Sequence, residues 1–98
     1  MNHTLENQTL TLYFEGELNS FNADGVEKEI ESILPRLDFS AIVLDMDQLS
    51  YISSAGLRII VRLKQRCNDI CIKNASPEVY EVFDMVGFNN VLRIEKRA

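Results

Sequence analysis

Two hydroxyls, Ser53 and Ser54, stand side by side in LSYISSAGLRII, Leu49 to Ile60, between an apolar segment and what reads as a helix start. Three chemistries suit such a pair: nucleophilic attack, helix capping and acceptance of a phosphate. Attack needs an adjacent base, and the only histidine is His3, in an N-terminal stretch that reads as mobile. SSAGL also lacks the Gly-x-Ser-x-Gly spacing of a strained nucleophile turn. Asp45 and Asp47 invite comparison with a catalytic carboxylate pair, but two apart at a strand end they read as a solvated loop start. Gly16, Gly25, Gly56 and Gly87 are scattered, so no glycine-rich phosphate loop is present. Enzyme function is not expected, which leaves capping and phosphate acceptance.

Helical phase separates the two serines. At about 100° per residue, Ala55, Leu57, Ile59, Ile60, Val61, Leu63 and Cys67 fall on one arc of roughly 240°, and Ser54, Arg58, Arg62, Gln65 and Arg66 share the remaining roughly 120°. This predicts a mostly buried helix with one narrow polar stripe. Ser53 falls towards the core or serves as N-cap, and Ser54 heads the exposed stripe. In one reading both hydroxyls only cap the helix, satisfying otherwise unpaired amides. In the other, one hydroxyl accepts a phosphate, since a helix N-terminus offers free N–H donors and positive partial charge to an anion. Arg58, one turn along, leans back far enough to reach a phosphate on Ser54, and Gly56 keeps the turn uncrowded at some cost in helix propensity.

The elements that position this segment read as follows. TLTLYFEGEL alternates from Thr9, with Leu10, Leu12 and Phe14 on one face, as a half-buried strand does, and closes around Gly16 between Glu15 and Glu17. NADGVEKEIESIL reads as a helix of about three turns, with Asn22 capping it, Val26, Ile30, Ile33 and Leu34 at helical spacing and Pro35 ending it. AIVLDM is short, β-branched and apolar, as a central strand covered on both faces would be, and an acidic loop, DQLSY, follows. The second helix runs from Ser54 to about Arg66, Asn68 and Asp69 break it, and ICIK is a strand. SPEVYEVFDMVGF reads as a helix with Ser76 as N-cap, Pro77 first, an apolar side of Val79, Val82, Phe83 and Val86, and Gly87 as stop; NVLRIE is the last strand. Strands alternating with helices imply an α/β fold, a small mixed or parallel sheet of about four to five strands with three helices, in a single domain over residues 1–98.

Composition bounds the partners. With 46% hydrophobic and 26% charged residues the chain belongs with ordinary soluble globular domains. A net charge of −5 argues against nucleic acid, whose binders carry dense basic patches, and favours a protein partner. No apolar run approaches the roughly 18 residues that span a bilayer, and MNHTLENQTL lacks a signal-peptide layout, so no membrane insertion and a cytoplasmic location are expected. Cys67 and Cys71 with one histidine fall short of four zinc ligands and read as reduced, partly buried thiols; no metal or cofactor is expected.

The order of elements and three stretches, FEGELNSFNA, VLDMDQLSYISSAGLRII and SPEVYEVFDMVGF, together resemble the STAS domain family, in particular its anti-sigma factor antagonists, over nearly the whole chain. The resemblance implies a serine at the start of the second helix that an anti-sigma factor, itself a serine kinase, phosphorylates. Unphosphorylated antagonist binds that kinase and frees the sigma factor, and a phosphatase resets the phospho-form. Matching Gly56 and Leu57 to the family's Gly-Leu places the phosphorylated position at Ser54. The partner-facing set is then Asn19, Ser53, Ser54, Gly56, Arg58 and Arg62, in a monomer or weak dimer. Two family carboxylates are replaced: Ser53 stands where an acidic residue usually precedes the phosphorylated serine, and Asn19 where Gly-Glu-Leu-Asp has its aspartate. Arg58 and Arg62 occupy positions that are often small. The family's further C-terminal helix is absent or truncated, which leaves one sheet face partly uncovered or suits it to a dimer or partner. The neutral Ser53 and Asn19 motivate an alternative, a non-phosphorylated STAS interaction module such as a small cytoplasmic subunit of a transporter or signalling complex.

Overall fold

The N-terminal stretch around His3 is a strand, contrary to its reading as a mobile terminus. In the computed structural model, which describes Met1–Ala98, strand β1 (Asn2–Glu6) pairs antiparallel with strand β2 (Thr9–Leu18). The two residues between them, Asn7 and Gln8, both have positive φ, 50° and 65°, the conformation in which a tight turn matches the twist of its strands. His3 therefore lies opposite Leu12 on an edge strand.

Helix α1 (Ala23–Ile33) follows β2, and a 3-10 turn, Leu34–Arg36, carries Pro35 just past its end. Strand β3 (Ala41–Ile52), helix α2 (Ser54–Arg66), strand β4 (Ile70–Ala75), helix α3 (Pro77–Met85), a second 3-10 turn over Phe88–Asn90 and strand β5 (Arg93–Lys96) complete the chain. Ser76 caps α3 as expected, accepting from Val79 N at 3.2 Å, and Gly87 stops it with φ 78°. Val86, placed on the apolar side, is about half exposed instead. The last strand starts three residues later than NVLRIE suggested, because that segment's first residue closes the 3-10 turn.

Sheet order follows chain order, with β2 to β5 mutually parallel. Parallel strands joined in chain order need three crossovers stepping in one direction, and with the usual right-handed sense these put all three helices on the same face. Burial agrees: Leu10, Leu12, Phe14, Ile42, Leu44 and Met46 are buried, while the alternating Thr9, Thr11, Tyr13, Ala41, Val43 and Asp45 are not. The central strand is therefore covered on one face and not on both.

DQLSY is strand and not loop. Two irregularities in the β2–β3 ladder, between Tyr13 and Glu15 and between Gly16 and Glu17, insert extra residues into β3 and carry both strands on to the paired ends Leu18 and Ile52. Gly16, with φ 70°, sits at the second irregularity, a conformation open to glycine at little steric cost. Ser50 Oγ donates to Gly16 O there at 3.0 Å. The expected fold class, α/β with a small sheet of about four to five strands and three helices, is the one observed, with five strands.

Candidate functional site

Parallel strands leave the sheet at one end, and there Leu18 and Ile52 deliver two corners side by side. Ser53 N donates to Leu18 O at 2.8 Å, which ties the start of α2 to the β2–α1 corner. Ser53 is extended and half-buried, its Oγ accepts from Gly56 N at 3.3 Å and its carbonyl from Leu57 N at 3.0 Å, so it is the N-cap. Ser54 is the first helical residue, exposed, and its hydroxyl forms no hydrogen bond within the protein. With Gly56 N taken by the cap, the amides of Ser54 and Ala55 are left for solvent or an anion.

Gly56 is buried against the strand ends. A Cβ on it would lie 2.8 Å from both Ile52 Cγ1 and Leu18 Cγ, so glycine lets α2 approach the sheet more closely than any other residue permits. The sequence reading assigned it an uncrowded turn; the close packing is the physical reason.

The neighbouring corner is built by two asparagines. Asn19 Oδ1 accepts from Phe21 N at 2.9 Å and Asn22 N at 3.0 Å, while Asn22 Oδ1 accepts from Asn19 N at 2.8 Å and its Nδ2 donates to Glu17 O at 2.7 Å. Asn22 holds the N-cap position of α1, but its side chain braces the corner rather than capping the helix. Asn19 supplies through its amide oxygen the acceptor that an aspartate would supply, without the charge.

The arginines differ in role. Arg58 is exposed, four residues past Ser54, with no ion pair or hydrogen bond. Arg62 instead donates to Glu27 Oε1 at 2.6 Å, and Arg66 to Glu31, so both link α2 to α1. At 55% and 22% side-chain exposure, the Arg62–Glu27 pair is worth at most about 1 kcal/mol. The apolar arc of α2 is narrower than the wheel implied: Gly56, Ile59, Ile60 and Leu63 are buried, whereas Val61 is 43% exposed. Lys64, Gln65 and Arg66 follow in sequence without adding a buried side chain.

Two aromatic residues at this end were not singled out in the sequence. Phe21 is 96% exposed and Tyr51 49%. The available signal was weak: Phe21 stands between polar residues in NSFNAD, in phase with neither the strand before it nor the helix after it. The one imidazole, His3, lies on β1, with β2 and β3 between it and Ser54, so it is not a base for that hydroxyl. No three His, Cys, Asp or Glu side chains converge as a metal site requires, and no helix is long and apolar enough to cross a membrane.

Sequence and structure comparisons agree with this geometry. The family model for the STAS domain matches residues 2–97. The chain belongs to the STAS domain family. A Bordetella bronchiseptica protein named as an anti-sigma factor antagonist, BtrV, is 33% identical over 84 residues, 82% of this chain and 72% of the relative. The crystal structure of a Thermotoga maritima protein likewise named superposes with a TM-score of 0.86 at 18% identity, covering 97% of this chain and 85% of that one. The anti-sigma factor antagonist SpoIIAA in its unphosphorylated form gives a TM-score of 0.74 at 19% identity, over 95% and 87% of the two chains. SpoIIAA from Bacillus has also been solved in a phosphorylated form, at TM-score 0.65 and 18% identity over 95% and 90%. At these identities the two solved proteins share the fold with this STAS chain.

Proposed function

We propose that this STAS domain is a cytoplasmic anti-sigma factor antagonist. Its unmodified form binds a serine-kinase anti-sigma factor and releases a sigma factor; phosphate on Ser54 ends that binding and a phosphatase restores it. One observation carries the reading: of two adjacent serines, Ser53 is engaged as the N-cap, while Ser54 presents a free hydroxyl at the head of α2. The name of BtrV supports the antagonist assignment. Asn19, Ser53, Gly56 and Arg58 surround or support Ser54 on the partner-facing end, and Arg62 acts there through its tie to α1.

The switch is electrostatic. A phosphoserine adds up to two negative charges, and burying them against a partner without a cation costs several times the ~1.4 kcal/mol that changes affinity tenfold. The fold itself tolerates the group, since the head of a helix favours an anion. Incubation with the kinase and ATP, followed by mass spectrometry, is expected to place one phosphate on Ser54, and Ser54→Asp to weaken kinase binding at least tenfold. Absence of phosphate from Ser54, or unchanged binding by Ser54→Asp, refutes the switch. Recovery in a pull-down of transport subunits alone would favour the non-phosphorylated module that the neutral Ser53 and Asn19 suggest.

A further inference from the structure

Phe21 carries the largest exposed fraction of any large apolar side chain here, 96%, yet it is not on a slack loop. Its amide is held by Asn19 Oδ1, and Asn19 and Asn22 brace each other and the end of β2. A ring presented by an ordered corner loses little further freedom on binding, which favours contact energy appearing as affinity. Aromatic side chains, Phe among them, are enriched at protein interfaces relative to the rest of the surface. Phe21 is three residues past Leu18 and Ser54 two past Ile52, and Leu18 and Ile52 are register partners, so both project from the same end of the sheet. Tyr51, also exposed, stands one residue before Ile52. Glu17 and Asp24 flank Phe21 in sequence, both exposed and neither in an ion pair. By contrast Met85, 78% exposed, ends α3, which runs from the C-terminal end of β4 back towards the opposite end.

We infer that Phe21 is the aromatic anchor of the partner interface, entering an apolar pocket rimmed by basic groups on the kinase that Ser54 faces. This rests on the antagonist reading, and the experiment separates the two. Binding of the kinase to the full unmodified chain is measured by calorimetry and surface kinetics for wild type, Phe21→Ala, Phe21→Leu, Ser54→Asp and Met85→Ala. Phe21→Ala is expected to bind at least tenfold more weakly, Phe21→Leu to recover part of the loss and Met85→Ala to match wild type. Its melting midpoint is expected to stay within about 4 °C of wild type, since the side chain packs on nothing. Glu17→Gln with Asp24→Asn is expected to slow association several-fold at low salt, leaving dissociation little changed; an unchanged association rate overturns the basic rim. Binding lost in Ser54→Asp but kept within threefold in Phe21→Ala overturns the anchor alone. Failure of the wild type to bind overturns the functional reading and the anchor with it. A Phe21→Ala effect confined to self-association, read by sedimentation, also overturns the anchor and points to a second copy of this chain.

Discussion

Gly56 and Gly25 offer the same substitution at the same helical position with opposite expected outcomes. Each is the third residue of its helix, and neither has positive φ. At Gly25 an added Cβ meets nothing within 4 Å, so Gly25→Ala should gain about 0.5–1 kcal/mol from helix propensity and a less flexible unfolded chain. At Gly56 the Cβ lies 2.8 Å from Ile52 Cγ1, 2.8 Å from Leu18 Cγ and 2.9 Å from Leu18 Cδ2, where ordinary contact begins at 3.4 Å. Ile52 Cγ1 and Leu18 Cγ are inner or branch-point atoms and Leu18 Cδ2 a terminal methyl, all on side chains only 3% and 1% exposed, on paired strand ends. Space must come from moving α2, whose cap is tied to Leu18 O. With three contacts under 3.0 Å the overpacking falls at the upper end of its usual range, about 2–3 kcal/mol, and the helix gain offsets about 1 kcal/mol of it, so Gly56→Ala should lose about 1–2 kcal/mol. For a domain of this size that lowers the melting midpoint by roughly 5–15 °C, while Gly25→Ala raises it by about 3–6 °C. Thermal and urea unfolding of the two variants check this. Gly56→Ala as stable as wild type, or both variants shifting in one direction, would refute the packing argument.

Ser53→Ala removes the α2 cap and should cost about 1 kcal/mol, whereas Ser53→Asp should keep wild-type stability, because a carboxylate accepts the same bond and suits the helix end; thermal melts compare the two. Gln8→Gly relieves one of two left-handed residues in the β1–β2 turn and should raise the urea midpoint, by about 0.5 kcal/mol in stability with the slope unchanged.

What the sequence revealed depended on whether its periodicity was intact. Leu10, Leu12 and Phe14 alternate on an unbroken stretch of β2, and the start of α2 at Ser54 was marked by an N-cap serine. Past Met46, buried residues of β3 come at Leu49 and Ile52, three apart, because the ladder irregularities shift the phase. A strand with that spacing looks like a loop. β1 was hidden for another reason: all five of its residues are exposed, so hydrophobic pattern had nothing to report, and the turn uses Asn7–Gln8 without a glycine. At the candidate site, wheel arithmetic separated Ser53 from Ser54 correctly, yet it placed Val61 inside and Arg62 on a free stripe. Neither how far the neighbouring elements cover a helix flank nor a pairing across 35 residues to Glu27 is encoded in the phase of one helix.

The adjacency of the serines has a further consequence for how charge can act at this end. A phosphate on Ser53 would be attached to the oxygen that accepts from Gly56 N, in a half-buried position; it would compete with the cap. The same group on Ser54 leaves the cap intact, faces two unengaged amides and has Arg58 one turn away. Modification at Ser54 is therefore compatible with an unchanged fold, and its effect would fall on whatever covers the surface. The neutral Ser53 and Asn19 sharpen this, because both retain their acceptor geometry in the corner without a standing negative charge. With those two carboxylates absent, phosphate would produce a larger relative change in the local potential than at a site already acidic. A partner reading that potential would then discriminate the two forms of this chain mainly through Ser54 itself.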